Sequence, residues 1–183
     1  MSAQTSLTLQ VAAALEASGI AYVLTGSFAS NYHGIPRSTR DADFVIQLAC
    51  AIGPEFGRKL GDDFVLDPQL SFETVTGTHR QYIRHRKKRF KIELFMLSAD
   101  VHDQERFRRR QQIELAGHQV WLLSAEDSII SKLRWAREKD RPDIRNVMTV
   151  QGEKLDWKYI EQWCQKHGTT ALLNEIRHSV PKI

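Results

Sequence analysis

Three acidic residues offer this sequence its chemistry. Asp41 and Asp43 stand two apart in RSTRDADFVI. Alternate side chains of a strand share a face, so the two carboxylates point the same way. Two hard oxygen ligands at that spacing suit a divalent cation, Mg²⁺ or Mn²⁺. Phe44, Val45 and Ile46 follow directly, announcing a strand that enters a core. Acids at the mouth of such a strand are costly unless their charge is compensated. Compensation comes from a metal ion or, on a solvated strand end, from Arg37 or Arg40. The third acid is Glu93, in the middle of the otherwise apolar run FKIELFML. It either pairs with Arg84 or Arg86 of a neighbouring strand or completes a three-carboxylate metal site with Asp41 and Asp43. Such a trio can hold two divalent cations about 4 Å apart. The carboxylate nearest an attacking hydroxyl can take its proton, and Glu93 is the candidate for that role.

Phosphate-type ligands have a place nearby. A short apolar segment, residues 20–25, delivers the chain to Gly26 and Ser27, where FASNYHG reads as one or two helical turns. Amides at a helix start point outward, and glycine lets an anion approach closely. Ser27 adds a hydroxyl; the plain alternative is a turn and cap. Arg37 and Arg40 lie close to the aspartates, which makes one of them a phosphate ligand. Further on, Lys132 sits beside Leu133 but off the face formed by Ile129, Leu133 and Ala136, as a solvated or snorkelling lysine would. Asp143 falls in the first turn of the next helix, where an acid also suits the helix dipole.

Basic residues form two clusters. One runs through Arg80, Arg84, Arg86, Lys87, Lys88, Arg89 and Lys91; the other is Arg106, Arg108, Arg109 and Arg110. Each is read as a phosphate-binding surface or as a solvated face. His33 is expected at a half-exposed helix end, and the other histidines show no metal spacing among themselves. Trp135, Trp157, Tyr159 and Trp163 are expected to knit helices together, with Cys164 buried and inert.

The elements that position these residues follow from local signals. Helices are predicted over 7–17, 54–60 (opened by Pro54) and 101–110 (capped by Asp100). Strands are predicted over 42–48, 64–66, 72–76, 79–85 and 90–97, with 111–123 extended and broken at Gly117. From Ser124 the pattern is wholly helical. Ser124 and Asp127 have capping-box spacing, Pro142 starts a second helix, Asp156 caps WKYIEQWCQKH, and 171–177 forms a last one. The expected class is therefore α+β: a mixed sheet flanked by helices over 1–123, then a helical C-terminal subdomain over 124–183.

Composition excludes several classes. The chain has 183 residues, 42% of them hydrophobic, enough for a real core. Its formal charge of +4 permits an anionic partner without demanding one. No apolar run approaches the roughly 18 residues of a membrane span. Residues 1–18 lack a basic segment before an apolar stretch, so no secretory signal is expected. Two cysteines without metal spacing point to a reducing, cytoplasmic setting with no membrane partner.

Taken together, VLTGS followed by RSTRDADFVI resembles the signature of the nucleotidyltransferase superfamily, with its DNA polymerase beta-like fold. The lead-in to the aspartates, SAEDSIISKLRWAR and RPDIRNV are similar to the AbiEii/AbiGii-like toxin nucleotidyltransferases and their small prokaryotic relatives. The resemblance implies a central mixed sheet with a helical C-terminal region. It places Gly26 and Ser27 on a triphosphate, makes Asp41 and Asp43 metal ligands, and matches Glu93 to a third carboxylate that is usually Asp. Lys132 and Asp143 match residues of the active-site rim, Lys132 among the catalytic groups. The implied activity is Mg²⁺-dependent transfer of an NMP from an NTP to an acceptor hydroxyl. The acceptor could be RNA, held by Arg84, Arg86, Lys87, Lys88 and Arg89. A catalytically silent RNA- or partner-binding protein, with a cognate antitoxin, is the alternative.

Overall fold

The computed structural model describes residues 2–180. The first half alternates helices and strands: α1 (Ala3–Ala17), β1 (Tyr22–Thr25), α2 (Gly26–His33), β2 (Asp41–Ile46), α3 (Pro54–Leu60), β3 (Phe64–Leu66) and β4 (Ser71–Glu73). Then come β5 (Thr78–His85), β6 (Lys91–Met96), α4 (Val101–Arg108), β7 (Gln111–Leu115) and β8 (His118–Leu122). Four helices close the chain: α5 (Ala125–Trp135), α6 (Arg141–Gln151), α7 (Trp157–His167) and α8 (Thr170–His178).

All eight strands form one mixed sheet in the order β3-β5-β6-β2-β1-β8-β7, with β4 on the outer side of β5. β2 lies at its centre, antiparallel to β1 and parallel to β6. A central strand must bury its interior residues, and Phe44, Val45 and Ile46 are all buried. Local chemistry sets the helix ends. Ser2, Asp100, Ser124 and Asp156 each accept hydrogen bonds from amides of the helices they open. β4 stops early because the Glu73 carboxylate takes the amides of Val75 and Thr76, tying a turn where the strand was expected to continue.

Two apolar clusters result. One joins the sheet to α1, α2, α3 and α4, and the other joins α5 through α8. His33 is buried rather than half-exposed. Its Nε2 donates to the Leu123 carbonyl at 2.8 Å, which pins α2 to the chain just before α5. Gly34 completes that junction, since a Cβ there would lie 2.8 Å from the Val147 amide nitrogen on α6. No helix among the described residues is long and apolar enough to cross a membrane.

Candidate functional site

Strand register brings the acids together. Asp41 and Asp43 share a face of β2, and the parallel pairing with β6 sets Asp43 beside Glu93 and Asp41 beside Lys91. On its other side Asp43 faces Thr25, the last residue of β1, so α2 opens directly against it. Gly26 carries this corner at φ +60°, and a Cβ built on it would lie 1.9 Å from Oδ2 of Asp43. Glycine is required there for its backbone conformation and for the close approach. Ser27, Arg37 and Lys132 line the same cavity as the three carboxylates.

The charge at this corner is only partly answered. Thr39 Oγ1 donates to Asp41 Oδ1 at 2.7 Å. Glu93 is 8% exposed and is paired with Lys91 and with Arg80, whose Nη1 lies 3.1 Å from Oε2. The expected partners were Arg84 and Arg86. Arg84 instead stands opposite Lys91, and Arg86 turns away to donate to the Asp62 carbonyl. Asp43 differs from both acids. Burial, then the like charges of Asp41 and Glu93, push its carboxyl up to about 7 against the weaker pull of Lys132 and Arg137. An all-oxygen donor set with excess negative charge fits a hard divalent cation. The three carboxylates line one cavity without closing into a three-ligand cluster.

Lys132 is not solvated. It is buried, with Nζ 2.8 Å from Asp143 Oδ2. Arg37 grips the same carboxylate with two bonds, Nε to Oδ1 at 2.6 Å and Nη2 to Oδ2 at 2.7 Å. Burial would raise the Asp143 carboxyl, but hydrogen bonds from Arg37 and Lys132 outweigh it and hold the group below the ordinary range. Asp143 is therefore a buried counter-ion of two cations, not a loose first-turn acid. Arg37 also reaches Ser27 Oγ at 3.3 Å, so this pair sits at the helix-start nest. Arg40 stays exposed and does not line the cavity, its carbonyl accepting from the Lys91 amide. Sequence reasoning put Arg80 in a basic cluster without pairing it to Glu93, and it missed Asp140. The only signal for Arg80 was its alternation within β5, which is uninformative until the register with β6 is known.

A second acidic group has metal-like geometry. Asp100, His102 and Asp103 place one ligand atom each within 4.8 Å of one another, a plausible metal-binding triad at the start of α4. Its donors are already engaged. Asp100 caps α4 and pairs with Arg134 at 3.1 Å, while Asp103 takes Arg106 at 2.9 Å. His102 meets Asp127 at 3.2 Å through Nε2 and His167 at 3.1 Å through Nδ1. A cation entering here must displace two arginines.

This network has a consequence for acid stability. Burial, then His102 and Arg134, hold the His167 imidazole down at about 4. The folded state therefore binds fewer protons than the unfolded chain between roughly pH 6.5 and 4, and stability falls as pH drops through that window. His167→Gln is expected to flatten the loss. Thermal midpoints of variant and wild type between pH 4 and 7 isolate this term from Asp43, whose contribution has the opposite sign. Parallel curves would refute it.

The basic clusters divide. Arg106 is buried against Asp103 and Ser131, Arg109 pairs with Asp127 over the Tyr159 ring, and Arg110 lies over Trp121. These three are structural, while Arg108 is exposed and pairs with Glu105. In the β5–β6 turn, Arg86 and Lys87 are tied to the Asp62–Asp63 segment, while Lys88 and Arg89, with Arg84 at the end of β5, are exposed. Trp135 does not knit helices; it is half-buried, edge-on to Phe95, and lines the cavity. Trp163 and Cys164 are buried among α5 through α8 as expected.

Known proteins share this fold. ANT(2″)-Ia, in complex with adenylyl-2″-tobramycin, superposes with a TM-score of 0.61 at 13% identity, over 92% of this chain and 98% of that one. The fold is nucleotidyltransferase-like. The lincosamide antibiotic adenylyltransferase LnuA, lincomycin-bound, gives 0.54 at 12% identity, over 79% of this chain and 96% of its own. An antigenic nucleotidyltransferase-like protein from Paracoccidioides brasiliensis gives 0.53 at 18% identity, over 98% and 92%. At these identities the likeness establishes the fold alone. Residues 91–180 match a family described as a nucleotidyltransferase of unknown function (DUF6036), a segment that holds Glu93, Lys132 and Asp143. No curated protein is similar to the chain in sequence.

Proposed function

We propose that this protein is a divalent-cation-dependent nucleotidyltransferase, moving an NMP from an NTP to an acceptor hydroxyl with release of pyrophosphate. Asp43 carries the reading. Its carboxylate is pressed against the glycine that opens α2 and stands beside Glu93, and among the described residues no cation touches it: Lys132 and Arg137 act on it only through space. Asp41, Asp43 and Glu93 would hold Mg²⁺ or Mn²⁺, which when bound supplies Lewis-acid stabilisation of phosphate charge. The chain's own groups do the rest. Amides at the start of α2 and Ser27 cradle phosphate oxygens, while Arg37, Arg40 and Lys132 neutralise them. Glu93, once free of Lys91, accepts the proton of the attacking hydroxyl.

ATP is the first donor to test, since one structural relative is an adenylyltransferase and another is in complex with an adenylyl compound. These relatives are bound to adenylyl-2″-tobramycin and to lincomycin, which supports a small-molecule acceptor; exposed Arg84, Lys88 and Arg89 support RNA. Reversing these three charges is expected to weaken transfer to RNA and leave transfer to a small hydroxyl compound intact. Unpaired cysteines suit a cytoplasmic setting. The Arg80–Glu93 ion pair favours a second reading, a catalytically silent binding protein, in which a cognate antitoxin is one candidate partner.

Calorimetric titration with each NTP separates the two. Mg²⁺-dependent binding of an NTP, lost in an Asp41→Asn, Asp43→Asn double variant, is the expected result. Failure of every NTP to bind with Mg²⁺ would move the weight to the silent reading.

A further inference from the structure

A line of alternating charges runs along one wall of the cavity. It starts at Arg37, passes through Asp143 to Lys132, continues to Asp140 and ends at Arg137. Lys132 Nζ stands between the two acids, 2.8 Å from Asp143 and 3.4 Å from Asp140. Arg137 holds the far side of Asp140 with Nε at 2.6 Å and Nη2 at 3.1 Å. Asp140 and Asp143 are 1% and 3% exposed, whereas the Arg137 side chain is 44% exposed. Buried anions thus stand behind cations that face the cleft.

The placement of Arg137 is built, not incidental. Ala136 adopts φ 51°, a left-handed conformation that a non-glycine residue rarely takes. That turn ends α5 and folds Arg137 back over the Trp135 ring, 4.8 Å from its centroid. Arg137 lines the same cavity as Asp41 and Asp43. An exposed i,i+3 ion pair needs no buried acid, yet Asp140 is desolvated almost completely and shared with Lys132. Desolvating a carboxylate to fix one arginine makes sense where that arginine's fork must be held for a ligand.

We propose that Arg137 is a fourth cation of the donor-triphosphate site and that Asp140 is its positioning residue. The proposal rests on the nucleotidyltransferase reading. A guanidinium has five N–H donors, and Asp140 takes one from Nε and one from Nη2. The remaining donors suit phosphate oxygens. Because Asp140 also holds Lys132, one buried anion sets the spacing of two phosphate-binding cations.

The probe is inorganic tripolyphosphate with Mg²⁺, titrated calorimetrically into the full chain. It carries the donor's phosphates without base or reaction. Wild type binds; Arg137→Ala binds roughly ten- to a hundredfold more weakly, the loss of a charge-assisted bond. Arg137→Lys falls between, keeping charge without the fork. Asp140→Asn weakens binding, and Asp140→Glu restores part of it. Arg137→Gln serves should the alanine variant not fold. Unchanged tripolyphosphate affinity in folded Arg137 variants, alongside lost binding in Asp41→Asn, Asp43→Asn, overturns the role of Arg137 alone. No binding by wild type overturns the donor site and this proposal with it.

Discussion

Asp43→Asn is expected to reduce nucleotide transfer by on the order of a thousandfold or more, and yet to make the metal-free protein more stable. Wild-type Asp43 has its carboxyl pushed from 3.8 to about 7 by burial and by Asp41 and Glu93. The folded state therefore binds more protons than the unfolded chain between those values. Stability contributed by the protonated group is present below about pH 4 and lost as pH rises through 7. Asparagine cannot ionise, so the variant escapes that loss. Three pKa units correspond to about 4 kcal/mol at most, and relaxation lowers the gain to a few, or several degrees in melting temperature. Unfolding in EDTA at pH 8 and pH 4.5 checks this: the variant leads at the higher pH, and the gap narrows at the lower. Mg²⁺ reverses the order, because only the wild type binds it. Below pH 7 the ion must expel a proton, and its affinity drops about tenfold per unit. A variant less stable than wild type at pH 8 in EDTA would show that Asp43 already has its counter-charge.

The second large effect is at Gly26. Alanine there places a Cβ 1.9 Å from Asp43 Oδ2 and 2.8 Å from Cγ, at φ +60°. The backbone strain costs about 1 kcal/mol, and the clash is relieved only by swinging the carboxylate out of register with Glu93. The expected outcome is a folded protein, modestly destabilised, whose Mg²⁺-dependent nucleotide binding is lost as completely as in Asp43→Asn. Ser27→Ala, by contrast, removes one hydroxyl and should weaken binding by about tenfold or less. Near-normal nucleotide binding by a folded Gly26→Ala protein would mean that the Gly26–Asp43 contact is dispensable. Chemical-shift mapping of the β2 and β6 amides tells a local displacement from global loosening.

Much of the scaffold was legible because its signals are local. Asp100, Ser124 and Asp156 cap the helices they were expected to cap, and α3 and β3 keep their expected bounds. A cap needs only its own first turn, and Pro54 at N1 needs only its own φ. The shared face of Asp41 and Asp43 follows likewise from the period of a strand. Where elements were misjudged, a side chain competed with the backbone: Glu73 ended β4, and Ser2 extended α1 to Ala3.

What escaped was everything that depends on who faces whom. Sequence alone determined that three acids sit in otherwise apolar strands, that a glycine and serine open a helix just upstream, and that the chain ends in helices. Only the tertiary structure decided that β2 and β6 run parallel with Asp43 beside Glu93, and that Arg80 rather than Arg84 or Arg86 holds Glu93. It buried Lys132 and Asp143 against Arg37, and it paired Arg106 and Arg109 with the buried acids Asp103 and Asp127. The reason is physical. Alternation and capping are set within a few residues, whereas register, desolvation and the choice of counter-ion are set by surfaces far apart in the chain.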